Sequence, residues 1–355
     1  MVKKKKDKIK LKDIAEKAGV SAGTVDRVIH SRGEVNERTR QKVLNIIEEL
    51  GYKPNLQARS LALKKTYRIF VLLPSAKQDN NPYWELPKKG IVKAAEETDD
   101  YNLDIILKTF STNNKESFIT VSNDVLLEEP DGIIFSPYFS DAATDFSNRC
   151  NENNIPYVLI DSNLENANAL AYFGQDTVQS GYLSAKLMSF GLPSQTTILI
   201  VNITDSNSVS RHVKKREQGF LTQLAENNKN INTISLNIDL GHAGEPEKSL
   251  KEVFKSHPDI EGIFVTGSRV YKVAEFLNKT SRDTLLLGYD LIDENIDYLK
   301  TGTIDFLICQ KPEEQGYKSI MAMTKHLIAG QEIPRVNYSQ IDIITKENID
   351  FYNKL

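Results

Sequence analysis

The sequence predicts two parts: a small all-α head over residues 1–54 and a large α/β body from residue 67 onward, with residues 55–66 as the joint. Three observations carry this reading. Near the N-terminus apolar residues recur at Leu11, Ile14, Ala15 and Ala18, the i, i+3, i+4, i+7 spacing of one buried helix face. From Arg68 onward short apolar runs alternate with amphipathic stretches of ten or more residues, the pattern of parallel βαβ units and so of doubly wound sheets. In a chain of 355 residues that pattern covers roughly 270, too many for one small sheet, so the body divides into two lobes.

The head reads as three helices. Gly19 breaks the first, and Ser21 stands where an N-cap opens the second, whose Val25, Val28 and Ile29 face inward. Asn36 caps the third, Val43, Ile46, Ile47 and Leu50 form its apolar stripe, and Gly51 stops it. Two short helices around a Gly-containing turn make either a plain αα-hairpin or a helix-turn-helix, the motif whose second helix enters the DNA major groove. Charge favours the second. Residues 1–66 hold 17 Lys/Arg against 8 Asp/Glu, a net of +9, which leaves −12 for the rest of the chain. A basic head on an acidic body is the asymmetry of a nucleic-acid-binding module tied to a non-binding one. The KKKK run at 3–6 is a solvated tail that aids attraction to phosphates. Pro54 ends the third helical region, and the joint is too short to hold a helix by itself in water.

LKDIAEKAGVS at 11–21, TVDRVIH at 24–30, RGEVNERTRQKVLNIIEELGYKPN at 32–55 and LQARSLA at 56–62 together resemble the headpiece of the lactose-repressor family of bacterial transcription regulators. The resemblance implies sequence-specific binding to double-stranded DNA, with a homodimer on a pseudo-palindromic operator. Ala22, Gly23 and Arg27 match the base-reading positions. Of these only Arg27 offers a bidentate contact to guanine, worth about 1–3 kcal/mol of discrimination. Ser21, Thr24 and Asn36 match phosphate-contacting positions, which orient the head without reading bases. Tyr52, Asn55, Ala58 and Leu61 complete the DNA-contacting set. The resemblance makes 55–66 a hinge helix that orders when two copies pair over the operator centre, Ala58 allowing their approach and Leu61 wedging a base step from the minor groove. Asp26 stands where relatives usually carry Ser, and an acid beside phosphates needs a cytosine amino group or Arg27 as its partner.

In the body, strands are expected at 68–73, 103–110, 132–135, 156–161, 196–202, 233–238, 261–265, 284–288 and 305–309. Helices are expected at 86–97, near 115–127 and at 177–190, with more between the later strands. NNPYW (80–84), YVLID (157–161), QDTVQSGYLSAKLM (175–188), REQGF (216–220), GYDLIDENIDYLKTGTID (288–305) and CQKPEEQGYKS (309–319) resemble the sugar-binding periplasmic proteins and their regulator relatives. That implies a two-lobed, periplasmic-binding-protein-like domain over 67–355, crossed three times between lobes, with ligand in the cleft at the carboxyl ends of the sheets. Lobe one would take about 67–192 and 311–335, and lobe two 193–310 and 336–355.

A sugar offers C–H faces and vicinal hydroxyls, which suit an aromatic wall and planar donors or acceptors. Trp84, the single Trp of the chain, matches the wall, with core filling as the alternative, and Asn81 and Tyr83 accompany it. Asp161 ends a strand, where an unpaired buried carboxylate is costly. Arg216 matches an Arg that forks to ligand oxygens, and Asp290 and Gln310 match the family's cleft acid and amide. Two positions depart from the pattern. Gly267 stands where sugar-binding relatives carry Asn, and Ser162 where several carry Arg. Arg211, His212 and Arg269 add positive charge near the cleft, which points to an anionic ligand. The expected effector is a sugar or a sugar acid, whose binding closes the cleft, rotates the first lobes of the dimer and re-pairs the hinge segments.

Catalysis finds no pattern. HExxH, GxSxG, a P-loop and a metal-type His/Cys cluster are all missing from the sequence, and the five His at 30, 212, 242, 257 and 326 are scattered. No catalytic residue, metal site or cofactor is expected. No run of about eighteen apolar residues exists, so no membrane span is expected. The basic start has no apolar core behind it and does not read as a secretory signal. Cys150 and Cys309 are lone and fit core packing in a reducing cytoplasm. The chain ends at Leu355 just past the second lobe without leucine heptads, which points to a dimer. Two rivals stand beside this reading: a solute-binding protein for uptake, opposed by the basic head, and a sugar-converting enzyme, opposed by the lack of a catalytic pattern.

Overall fold

The computed structural model describes residues 9–29, 33–50, 52, 60, 63, 65–204, 211–226, 230–240 and 245–352. Asn55, Ala58 and Leu61 of the expected DNA-contacting set lie outside the described residues.

The head holds helices α1 (Leu11–Ala18), α2 (Ala22–Ile29) and α3 (Glu37–Leu50). Gly19 ends α1 at φ 66°, a left-handed conformation that costs glycine no Cβ clash. The Ser21 hydroxyl accepts from the Thr24 amide at 3.1 Å, and Asn36 Oδ1 from the Arg38 amide at 2.9 Å, so both expected caps are made. Ile14, Ala18, Val25, Val28 and Val43 form the core, with Ile29, Ile47, Leu50 and Tyr52 packed against it.

In the body, lobe one is built from β1 (Tyr67–Pro74), α4 (Glu85–Glu97), β2 (Leu103–Phe110), α5 (Lys115–Leu127), β3 (Gly132–Phe135), α6 (Ser140–Glu152), β4 (Tyr157–Asp161) and β5 (Ala171–Gly174). Next come α7 (Thr177–Gly191), β6 (Gln195–Thr204), α8 (Arg211–Glu226), β7 (Asn230–Asp239), α9 (Glu245–Ser256), β8 (Ile260–Val265), α10 (Val270–Thr280), β9 (Leu285–Tyr289), α11 (Asp293–Thr301) and β10 (Phe306–Cys309). The chain closes with α12 (Pro312–Ala329), β11 (Val336–Tyr338), β12 (Asp342–Ile344) and α13 (Ile349–Tyr352). Among the described residues there are two six-stranded sheets, ordered β11-β5-β4-β3-β1-β2 and β12-β10-β9-β8-β6-β7. Within each, the first five strands run in the order 2-1-3-4-5, a doubly wound arrangement with its crevice at the carboxyl ends of the strands. Among the described strands only β12 pairs antiparallel, with β10.

Two lobe boundaries differ from expectation. Helix α7 packs Ala185 and Met188 against Ile198, Ile200 and Phe264 of the second sheet, so the chain changes lobe near residue 175 and not after 192. Strand β11 pairs with β5, which extends lobe one past 335 to Tyr338. An amphipathic helix looks the same whichever sheet receives it, so its destination is invisible in the sequence. Strands β5, β11 and β12, of three or four residues, are too short for alternation to show. Helix α6 escapes because its buried face is largely Ala142, Ala143, Ser147 and Cys150 around one large residue, Phe146. Cys150 and Cys309 are buried and unpaired, and burial pushes their thiols up to about 12 and about 11.

Two reciprocal helix crossings hold the walls of the crevice. A Cβ at Gly90 of α4 would overlap the Glu313 carbonyl of α12, and one at Gly316 of α12 would overlap that of Pro87. Likewise a Cβ at Gly181 of α7 would overlap the Arg216 carbonyl of α8, and one at Gly219 of α8 that of Val178. The QSGY and EQGY motifs therefore serve backbone-to-backbone packing, one in each lobe.

Candidate functional site

In the head, Ser21, Ala22, Gly23, Arg27 and Asn36 are exposed on or beside α2 and the start of α3, while Thr24 and Tyr52 are half-buried. The Arg27 Nε donates to the Gly23 carbonyl at 3.3 Å, which lays the guanidinium back along α2. Burial and then the Asp26 charge raise the Tyr52 phenol, so Asp26 lies near Tyr52.

In the body, the seven residues singled out for ligand, Asn81, Tyr83, Trp84, Asp161, Arg216, Asp290 and Gln310, line one cavity. Asn81 to Trp84 come from the turn after β1, Asp161 ends β4, Asp290 follows β9, Gln310 follows β10 and Arg216 lies on α8. Asp161 and Asp290 occupy the same place in their two sheets, at the end of the fourth strand. Both have left-handed backbones, φ 67° and 72°, a conformation Asp tolerates better than most residues. Tyr138, Thr204, Gly267 and Arg269 also line the cavity. Tyr138 and Thr204 went unnoticed in the sequence, though each sits where β3 or β6 meets the crevice, the place where open α/β sheets bind ligands.

The acids are braced. Tyr83 Oη donates to Asp161 Oδ1 at 2.6 Å and Ser162 Oγ to Oδ2 at 3.1 Å. Gln310 Nε2 donates to both Asp290 oxygens, at 3.0 and 2.9 Å. Gln315 ties the ends of β4 and β10 by accepting from the Asp161 amide at 3.1 Å and donating to the Gln310 carbonyl at 2.8 Å. Asn295 spans the carbonyls of Ser268, Tyr289 and Asp290. Burial drives Asp290 up to about 7, even though Arg216 and Gln310 pull it down.

Arg216 is 2 % exposed. Its guanidinium lies 3.8 Å over the Tyr289 ring, a cation–π contact, and Nη1 donates to the Thr266 carbonyl at 2.7 Å. Trp84 is 3 % exposed and meets Tyr83 edge to face at 5.0 Å, so it is core and cleft wall at once. Trp84 Nε1, Arg216 Nε and Asn81 Oδ1 are among the buried atoms of this cavity that have no hydrogen-bond partner among the described residues. Native structures leave few such atoms, and donors and an acceptor on residues that line a shared cavity suit a hydroxyl-rich ligand.

The expected cluster of positive charge is corrected in part. Burial, then Arg216, holds His212 down at about 4 against the pull of Asp161, so its imidazole is neutral at pH 7. Arg211 pairs with Glu165 at 3.6 Å and lines a neighbouring recess instead of the cavity. Of the three, only Arg269 brings a cation to the cavity. A Cβ at Gly267 would meet nothing within 4 Å, so this departure leaves open space. Asp161, Ser162 and His212 lie together, but the acid bonds the hydroxyl and not the imidazole, which lacks the base-orienting order of a nucleophilic triad.

Among the described residues no helix is long and apolar enough to cross a membrane. Residues 71–332 match the model of a periplasmic binding protein domain, and residues 10–55 that of bacterial regulatory proteins of the lacI family. The HTH-type transcriptional regulator MalR of Streptococcus pneumoniae is 26% identical over 301 residues, 81% of this chain and 85% of that protein. For two other curated regulators the match spans only 37% and 51% of their length. The crystal structure of a putative LacI transcriptional regulator from Bacteroides fragilis superposes with TM-score 0.77 at 34% identity, over 81% of this chain and all of that one. GanP, a glucose-galactose binding protein from Geobacillus stearothermophilus, superposes with TM-score 0.71 at 25% identity, over 81% of this chain and 99% of GanP.

Proposed function

The chain belongs to the lacI family of bacterial regulatory proteins, with a periplasmic binding protein domain as its body, and from that premise we propose a repressor controlled by a neutral, sugar-type effector. It is a DNA-binding transcription regulator and not an enzyme. The proposal adds that a cytoplasmic homodimer holds a pseudo-palindromic operator through Ala22, Gly23 and Arg27 at bases and Ser21, Thr24 and Asn36 at phosphates. Tyr52 and, in the hinge, Asn55, Ala58 and Leu61 complete the contacts. The effector lies among Asn81, Tyr83, Trp84, Asp161, Arg216, Asp290 and Gln310. One observation supports this reading above others: buried donors and a buried acceptor belong to residues that line the cavity that the aromatic Trp84 walls. The resemblance to GanP, which binds glucose and galactose, supports a sugar.

Charge favours a neutral ligand over a sugar acid. Arg216 and Arg269 share the cavity with Asp161 and with Asp290, which burial leaves partly ionised, and His212 is uncharged at neutral pH.

The test is a thermal-shift screen of the purified protein against neutral sugars, uronic acids and sugar phosphates. A ligand at a hundred times its dissociation constant adds about 2.7 kcal/mol of stability. A neutral-sugar hit that is lost in Arg216→Ala and that changes operator gel shifts supports the reading. A hit confined to anionic sugars overturns the neutral-ligand reading, and no hit from any carbohydrate overturns the effector class.

A further inference from the structure

We propose that Ser162 and His212 form a cross-lobe latch that fixes the aim of Asp161 and makes that aim depend on closure of the cleft. Ser162 follows the last residue of β4 in lobe one, whereas His212 sits in the first turn of α8 in lobe two. Their side chains meet, Ser162 Oγ to His212 Nδ1, at 3.1 Å.

The protons order this contact. A serine hydroxyl has one proton and two lone pairs. Ser162 gives its proton to Asp161 Oδ2 at 3.1 Å, so toward the imidazole it accepts, and His212 carries its proton on Nδ1. Tyr83 holds the other oxygen, Oδ1, at 2.6 Å. Asp161 is thus held on one side from its own lobe and on the other by a relay that begins in the opposite lobe. The relay is neutral to neutral, because burial keeps the imidazole uncharged. Its parting leaves no bare cation in the cleft, which suits a contact that breaks and remakes as lobes move.

Position strengthens the argument. His212 lines both the cavity and the adjoining recess that Ser162, Gln175 and Lys215 share, so the pair stands at the seam between the two spaces. When the lobes part, Ser162 loses its donor, and its hydroxyl is free to leave the carboxylate. The cleft acid of lobe one is then correctly aimed only when lobe two is in place. Ser162 and His212 are positioning residues for the effector site, acting through Asp161. A serine suits this role because it is short enough to touch its neighbour's carboxylate and the imidazole at once.

The chain supplies its own reporter, since its single Trp, Trp84, lies in this cavity. Fluorescence of the ligand-free full chain is compared for the parent, Ser162→Ala, His212→Leu and the double variant. The latch predicts a red-shifted emission and stronger acrylamide quenching in each single variant. The double variant should go no further than either single one, because both remove the same bond. Ser162→Thr keeps the hydroxyl and should restore the parent emission, which a mere packing role would not predict. Parent-like emission in both single variants overturns the proposal, as does a double variant in which the two changes add. Should His212→Leu fail to fold, Ser162→Ala removes the same bond through one oxygen atom and carries the test with the Thr variant. The proposal rests on the cavity being the effector site, yet the two fail separately. An unresponsive parent in the carbohydrate screen sinks the effector reading, whereas the latch is judged without any ligand.

Discussion

Asp290→Asn separates what the cleft does for binding from what it costs the fold. Asp290 is 1 % exposed, with both carboxylate oxygens on Gln310, and burial lifts it from an ordinary 3.8 to about 7. The folded-state value is the higher one, so the folded protein holds this proton more tightly than the unfolded chain. Stability is therefore full below about pH 4, falls as pH rises toward 7, and stays low above that. At about 1.4 kcal/mol per tenfold change in proton affinity, ionising Asp290 costs the fold about 4 kcal/mol. That value already contains the help of Arg216 and Gln310. Asparagine has nearly the shape of the neutral acid and can still accept from Gln310. The variant should thus match the parent near pH 4 and exceed it by up to about 4 kcal/mol near pH 8. Urea unfolding followed by Trp84 emission, at both pH values and without ligand, measures the difference. A gap that does not widen with pH, or that favours the parent at the higher pH, would refute the reasoning. The same variant should lose effector binding, which marks Asp290 as a residue kept for function at the expense of stability.

Three more outcomes follow from the geometry. Gly219→Ala should destabilise by about 1–3 kcal/mol or more, since its methyl meets the Val178 carbonyl across a backbone crossing; thermal melts would show this, with Gly267→Ala, which faces open space, close to the parent. Asn36→Ala should cost the head about 0.5–2 kcal/mol by removing the cap on the Arg38 amide, read as a lower melting point of the head by calorimetry. Arg27→Ala should flatten discrimination among operator variants by about 1–3 kcal/mol, whereas Thr24→Ala should weaken all of them alike; gel shifts on a panel of single-base operator variants distinguish the two.

Local signals made the head legible almost to the residue. Gly19, Ser21 and Asn36 each act through atoms within four residues of themselves, so their turn and caps follow from sequence order alone. Strands β1, β6 and β8 are equally plain in the sequence, because a strand buried on both faces reads as a nearly unbroken apolar run. The cleft residues at strand ends were found through motif resemblance, and the fold brings all seven to one cavity.

Three properties were left to the tertiary structure. Which sheet receives α7 depends on the match of Gly181 to the Arg216 carbonyl and of Gly219 to the Val178 carbonyl, partners far apart along the chain. The charge state of His212 depends on how much water its neighbours exclude, a quantity no spacing encodes. The pairing of Ser162 with His212 joins two lobes across fifty positions of sequence. Period, caps and turns depend on neighbours along the chain and can be read there. Burial, desolvation and cross-lobe contacts depend on neighbours in space, and only the folded chain decides them.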